Sequence, residues 1–372
     1  MRWNPLQVPK RIDPGRYRTL VSDLFANAGR MGPRQLGFLR EALTSLYRQL
    51  GVLVGDEEVQ DSEWGQVRDA DEARAINQAR QERGLEAREL SGSELSRLEP
   101  FERQALAVQR SKRAGLADWV ANLRLLMDKV THHRDANSRS SLQGVLLRLE
   151  PLAETEMQYM YGPGADTIAI EDLGLLGPKQ DPWGVCVIEG GAEMEEFAKS
   201  ALLALIASIL YLDAVVRRRS ALGREQALPP MQIFFEEANK VLSGVQSDAA
   251  SESQGQNQGN QTAHIFQTMW RDGRKYAIYL HVLAQTLSGL PPGILSSCNN
   301  AFFSQSKNDR DRQLVLAHLA KNNKGFVNAD YDRFLGRMPI GMAVAKLGYA
   351  AEISRSMGCA SPGGAEPDAL TT

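Results

Sequence analysis

The chain has little cysteine. Its 372 residues hold three, Cys186, Cys298 and Cys359. The number is odd and the spacing scattered, so neither a disulfide framework nor a thiolate metal site is encoded. The pattern suits a reducing cytoplasm. Charge of one sign is also missing: 43 Lys and Arg stand against 45 Asp and Glu, for a formal net charge of -2. That excludes a general basic coat. Any contact with nucleic acid has to come from local clusters, such as those lining the pore of an oligomer. No apolar run follows Met1-Arg2-Trp3-Asn4-Pro5, so no signal peptide is expected there. The longest apolar run, Ala201 to Leu212, lies between Lys199 and Asp213. It is shorter than the roughly 20 residues a membrane span needs. It reads as the middle of a long buried core helix, Glu193 to Arg219, apolar nearly all round. No transmembrane segment is expected.

The composition is otherwise that of a globular protein, 43% hydrophobic and 24% charged. The first 160 residues read as a mostly helical region, with helices over Arg16–Ala28, Pro33–Leu50, Asp71–Arg83, Ser93–Lys112, Leu116–His132 and Ser140–Leu149. Pro33 suits a first helical position and Gly51 a stop. Leu36, Leu39, Leu43, Leu46 and Leu50 recur at steps of three and four, which makes one apolar face. Gly55 to Gln66 reads as an acidic loop. His132 and His133 stand together, but no Cys or carboxylate completes a ligand set, and a helix-end charge effect is the simpler reading.

From residue 161 the rhythm changes. Thr167–Ile170, Val185–Ile188, Met231–Phe235, Lys275–Ala284, Ala301–Gln305 and Ile340–Leu347 read as strands. Helices are expected over Thr262–Asp272 and Asp309–Lys321. Strand, long helix, strand makes a βαβ unit, so Val185–Ile188, Met231–Phe235 and Lys275–Ala284 are expected in one parallel sheet. Ser243 to Gln261 is a low-complexity insert and the last residues, 351–372, a Gly- and Pro-rich tail. The insert reads as a surface loop, with a lid or DNA-touching loop as the less favoured alternative.

The chemistry gathers between Met231 and Gln285. Met231-Gln232-Ile233-Phe234-Phe235 is closed by Glu236 and Glu237, and the strand through Leu283-Ala284 is closed by Gln285. In an open α/β sheet, the carboxyl ends of the strands line the ligand crevice. Two acids after an apolar strand suit nucleotide hydrolysis: one holds a magnesium ion, the other orients or deprotonates the attacking water. A Gln on the next strand can sense a γ-phosphate. Acids at a helix N-terminus are the plain alternative. The cluster Arg271-Asp272-Gly273-Arg274-Lys275 lies between the two strands.

The strings IFFEEANKVLSG and WRDGRKYAIYLHVLAQTLSGLPPGILSSCNNAFFSQ resemble the second half of a HerA/FtsK-superfamily translocase core. They are nearest in style to HerA and the conjugative type IV secretion ATPases. Glu-Glu-Ala-Asn stands where that family has an Asp-Glu-Ala-His type of Walker B motif. Asn4-Pro5-Leu6 resembles the segment after the family's second core strand. The resemblance implies an α/β fold with a RecA-like, mostly parallel sheet flanked by helices, over residues 161–350. It implies ATP and Mg2+ as cofactors, with Glu236 as the magnesium-side acid, Glu237 as the catalytic base and Gln285 as the sensor. Arg271 or Arg274 would be an arginine finger, a group that supplies on the order of 10³ to 10⁵ in rate. The alternative for both arginines is an ordinary surface ion pair, for instance with Asp272. Arg217, Arg218 and Arg219 read as a solvated helix end. The family's partners are DNA, copies of itself in a homo-oligomeric ring (a hexamer), and conjugation or secretion machinery.

One family element is absent. The phosphate cradle G-x-x-x-x-G-K-[ST] needs a Gly-Lys pair, and the 372 residues contain none. Gly162-Pro163-Gly164 and Gly177-Pro178-Lys179 lack the Lys-Ser/Thr ending. The expectation is therefore an ATPase core without its N-terminal portion. Two functions follow: a DNA-translocating or secretion motor, or a non-catalytic remnant or partner subunit bound to such an assembly.

Overall fold

The computed structural model describes residues 2–132, 136–154, 162–163, 167–173, 185–188, 196–221, 229–238, 268–288, 290, 294, 298, 300–319, 329–339 and 342–346. The helices are α1 Pro14–Ala28, α2 Pro33–Gln49, α3 Glu57–Gln60, α4 Ala70–Gln81, α5 Pro100–Ser111, α6 Leu116–His132, α7 Ala136–Glu154, α8 Glu196–Ala221, α9 Asp309–Leu319 and α10 Ala329–Arg337. The strands are β1 Arg2–Trp3, β2 Thr167–Ile168, β3 Met231–Phe235, β4 Ile278–Val282, β5 Ala301–Phe303 and β6 Val344–Lys346. They pair two by two: β1 with β2, β3 with β4, and β5 with β6. The first pair is parallel and the last antiparallel. The architecture is thus mixed, with an extensive helical part and small sheets.

Two compact units divide the chain: Met1–Ile233 with Ala249–His281, and Phe234–Asp248 with Val282–Thr372. In the first, α1 starts where the Asp13 carboxylate accepts the Arg16 N–H at 2.9 Å and Pro14 occupies the first turn. Its buried face is Tyr17, Leu20, Val21, Leu24 and Phe25, a helical repeat. Helix α2 buries Leu36, Leu39, Leu43 and Leu46, the face read from the sequence, and Gly51 follows with φ 65°. It packs against α1, α6 and α7. Trp119 from α6 is fully buried beside Phe25, with ring centroids 5.4 Å apart, and its Nε1–H reaches the Leu39 carbonyl.

The expected helix over Ser93–Lys112 breaks at Pro100, as a proline must break it. A short 3-10 turn, Leu95–Arg97, precedes α5. The Glu102 carboxylate accepts the Glu99 N–H at 2.9 Å and so starts that helix. Likewise Gly55–Gln66, read as loop, contains α3. The strand read over Thr167–Ile170 shortens to β2 and gives way to a 3-10 turn at Ile170–Leu173. Strand β1 and helix α10 are additions to the sequence reading.

Two buried carboxylates organise this unit. Arg110 and Glu72 are both fully buried and paired side by side, Nε to Oε1 at 2.9 Å and Nη2 to Oε2 at 3.1 Å. The remaining Arg110 protons go to the carbonyls of Gly51, Trp64 and Gln66. All five guanidinium donors are used, which is what makes a buried charge tolerable. Glu102, also buried, takes Arg80 at 2.6 Å and Arg88 at 2.7 Å.

Helix α8 is buried along most of its length, as read from the sequence. Its segment Ala198–Arg219 is long and apolar enough to cross a membrane by length and composition. The expectation that this stretch is too short to span counted only its uninterrupted centre. In this unit 72% of its apolar window is buried, as in a core helix. Arg217 is corrected too. It is not a solvated helix end but lies 2.7 Å from the buried Asp213, which Arg11 also approaches. In the second unit, Phe303, Val315, Leu316, Leu335 and Met338 form a small core under β5, α9 and α10.

Candidate functional site

Strand β3 alternates as a half-covered strand should: Met231 and Phe235 are buried, Gln232 and Phe234 exposed. Before β4 comes a 3-10 turn, Gly273–Tyr276, instead of the strand start read at Lys275. Gly273 is buried there, and a Cβ on it would come 3.1 Å from the Ile278 carbonyl. Ala277 takes φ 57° to turn the chain into β4.

Three backbone bonds fix the direction of this pair. The Met231 N–H donates to the Ala277 carbonyl at 2.8 Å, and the Leu283 N–H donates to the Phe235 carbonyl at 2.9 Å. Early residues meet early and late meet late, so the strands run parallel. The Ala238 N–H then donates to the Leu283 carbonyl at 3.1 Å, bridging past the two acids. Glu236 and Glu237 therefore occupy a turn held at both sides against Leu283, and Gln285 follows two residues later. Glu236 and Gln285 are exposed, and Glu237 is half-buried.

Glu237 takes φ 47°, the left-handed region that a β-branched or long side chain rarely adopts. Such a conformation costs on the order of 1–3 kcal/mol and persists where its surroundings dictate it. The sequence carried no signal of it. Asn239, and with it the rest of the acid motif, lies outside the described residues.

Arg271 and Arg274 belong to the first unit, and both are exposed. Arg271 pairs with Asp272 at 3.1 Å, and Lys275 pairs with the same carboxylate at 2.8 Å. The surface ion pair anticipated as the alternative is thus present for Arg271. The bond from Lys275, then that from Arg271, holds the Asp272 carboxyl below its usual range. Tyr276 packs edge-on against Tyr211 at 5.6 Å. Burial, then the neighbouring Tyr276, pushes the Tyr211 hydroxyl up to about 12.

Val185–Ile188 does not form a strand. Val185 is 89% and Val187 82% exposed. A β-branched run is a weak signal without a partner strand to pack it. The expected three-strand sheet is corrected to the β3–β4 pair. The insert Ser243–Gln261, His133 and the tail 351–372 lie outside the described residues.

The Asn4-Pro5-Leu6 segment is held from within the first unit. The Asn4 amide is fully buried and donates to the Ala114 carbonyl at 2.7 Å. Tyr17 and Tyr47 donate their hydroxyl protons to the carbonyls of Pro5 and Leu6, each at 2.7 Å. Neither tyrosine stood out in the sequence; their spacing on α1 and α2 reads only as core.

Tested against a magnesium nucleotide, these residues fit in part. Two adjacent acids beside a parallel strand match the oxygen chemistry Mg2+ prefers. Among the described residues no three His, Cys, Asp or Glu side chains are grouped to hold a metal alone. No described loop has the phosphate-cradle sequence.

No family model matches the chain, and no curated protein matches it. Among solved structures it is similar to VirB4 of Thermoanaerobacter pseudethanolicus. The identity is 11%, the match covers 93% of this chain and 71% of that chain, and the TM-score is 0.48. The likeness is a distant one, and the residue roles below rest on the geometry of β3 and β4 and on the sequence resemblance.

Proposed function

We propose that this chain supplies the acid pair and sensor glutamine of a motor ATPase resembling the HerA/FtsK type, in DNA translocation or conjugative secretion. The observation that supports it is the parallel pairing of β3 and β4. It sets Glu236 and Glu237 after one strand and Gln285 after its neighbour, at the same end. In this reading the Glu237 carboxylate accepts a proton from the attacking water, Glu236 carries the magnesium-side charge, and the Gln285 amide reports the state of the site to β4. Arg274 is the better finger, since Arg271 is already engaged by Asp272. A homo-oligomeric ring would bring it to a neighbour's site.

The absence of a Gly-Lys pair favours a second reading, a non-catalytic partner within such an assembly. Binding of a fluorescent ATP analogue separates them. It is measured on this chain with Mg2+, and again with a phosphate-loop-bearing segment of a related ATPase supplied in trans. Binding that appears on supplementation and falls with Glu236→Gln supports the catalytic reading. Binding absent in both supports the partner reading.

A further inference from the structure

Within the first unit a cleft of about 450 Å³ opens between the start of α1, the turn at Val52–Asp56 and the start of α5. That volume lies in the range of small-molecule sites, about 300–1,000 Å³. Arg18 and Arg103 both line it, and both are half-buried. Each guanidinium is short of partners. Arg18 donates Nη1–H to the Thr44 hydroxyl at 3.0 Å, while its Nε is sealed from solvent with no partner among the described residues. The Arg103 guanidinium has no ion pair or hydrogen bond among the described residues, although its backbone N–H caps to Glu99.

Two carboxylates share the wall, and both are committed elsewhere. Asp56 takes Arg48 at 2.9 Å and the Glu58 N–H at 3.0 Å. Asp13 caps α1 through the Arg16 N–H. Asp56 is neutralised by Arg48, so the two arginines outweigh the Asp13 carboxylate and leave the cleft positive. Elsewhere in this unit Arg110, Arg80, Arg40 and Arg48 meet carboxylates. Pro14, Pro100 and Ala107 give the cleft an apolar side.

We infer that this cleft binds a small organic phosphate. The Arg103 fork, with the Arg18 charge beside it in the lining, suits an oxyanion with three or more acceptor oxygens better than a single carboxylate does. The apolar side takes the organic part. Its lining contains none of Glu236, Glu237 and Gln285.

The test is calorimetric titration of the full chain with phenyl phosphate, inorganic phosphate and benzoate. Phenyl phosphate is expected to bind, inorganic phosphate more weakly, and benzoate weakest. Arg103→Gln, a change at a partly exposed side chain without a partner, is expected to weaken phenyl phosphate binding about tenfold. Arg18→Gln removes the charge, and is expected to weaken it too. Glu237→Gln is expected to leave it unchanged. No binding by the wild-type chain, equal binding by Arg103→Gln, or benzoate binding as tightly as phenyl phosphate would each overturn the inference.

Discussion

Replacing Arg110 by Met keeps the side-chain volume and removes the guanidinium from a site with no access to water. Glu72 then remains as a fully buried carboxylate that keeps one donor, the Arg68 N–H at 2.9 Å. Three carbonyls, of Gly51, Trp64 and Gln66, lose their donor at the same time. Breaking a buried ion pair costs about 3–5 kcal/mol, and each orphaned carbonyl adds about 1–3 kcal/mol. The first figure alone corresponds to a fall of roughly 6–20 °C in melting temperature for a unit of this size. Glu72→Gln is the informative companion. It removes the charge and keeps one acceptor oxygen, with the amide NH2 set against a donor, but Arg110 still serves the three carbonyls, so it should cost less than Arg110→Met. The double variant Glu72→Gln/Arg110→Met should not recover, because the three carbonyls stay orphaned. Urea melts followed by circular dichroism give the ranking. An Arg110→Met chain within about 1 kcal/mol of wild type would refute the reasoning, since no other described donor reaches those carbonyls.

Gly51→Ala would place a Cβ 2.7 Å from Trp64 and 2.8 Å from the Arg110 Nη1, at a φ of 65°. A loss above about 1 kcal/mol in the same melts is expected. Asp69 caps α4 through the N–H groups of Asp71 and Glu72, and Asp69→Ala should cost about 0.5–2 kcal/mol. The Glu72 N–H, followed by Arg113, holds the Asp69 carboxyl below its ordinary value of 3.8. A depressed folded value means the cap contributes fully above that ordinary value. It is lost as pH falls through the folded one, so the gap between wild type and Asp69→Ala should close only below about pH 4. Glu237→Gly should be more stable than Glu237→Ala by about 1 kcal/mol, because only glycine takes φ 47° without strain.

The helical part was legible because its signals are local. Leu36, Leu39, Leu43 and Leu46 announce their face by spacing, Pro33 marks a start, and Leu116–His132 is the helix as read. Strand β3 is the run as read, closed by the same two acids. Pairing was less legible, because it depends on residues far apart. Val185–Ile188 has the composition of a strand and, among the described residues, no partner to make it one. The Arg110–Glu72 clamp joins positions 38 residues apart and looks, in sequence, like two more surface charges. Of the candidate site, the order of acids and glutamine could be read. The grip of Asp272 on Arg271 was readable too, as the alternative to a finger. The left-handed turn at Glu237 could not be read, since it is set by three-dimensional neighbours.

The most direct test of the ATPase reading is hydrolysis of ATP with Mg2+ and DNA by the purified 372-residue chain, alone and with a phosphate-loop segment supplied in trans. The account predicts negligible turnover alone, turnover on supplementation, and its loss on Glu237→Gln while nucleotide binding is kept. Robust turnover by the chain alone, or turnover that Glu237→Gln leaves intact, would contradict it.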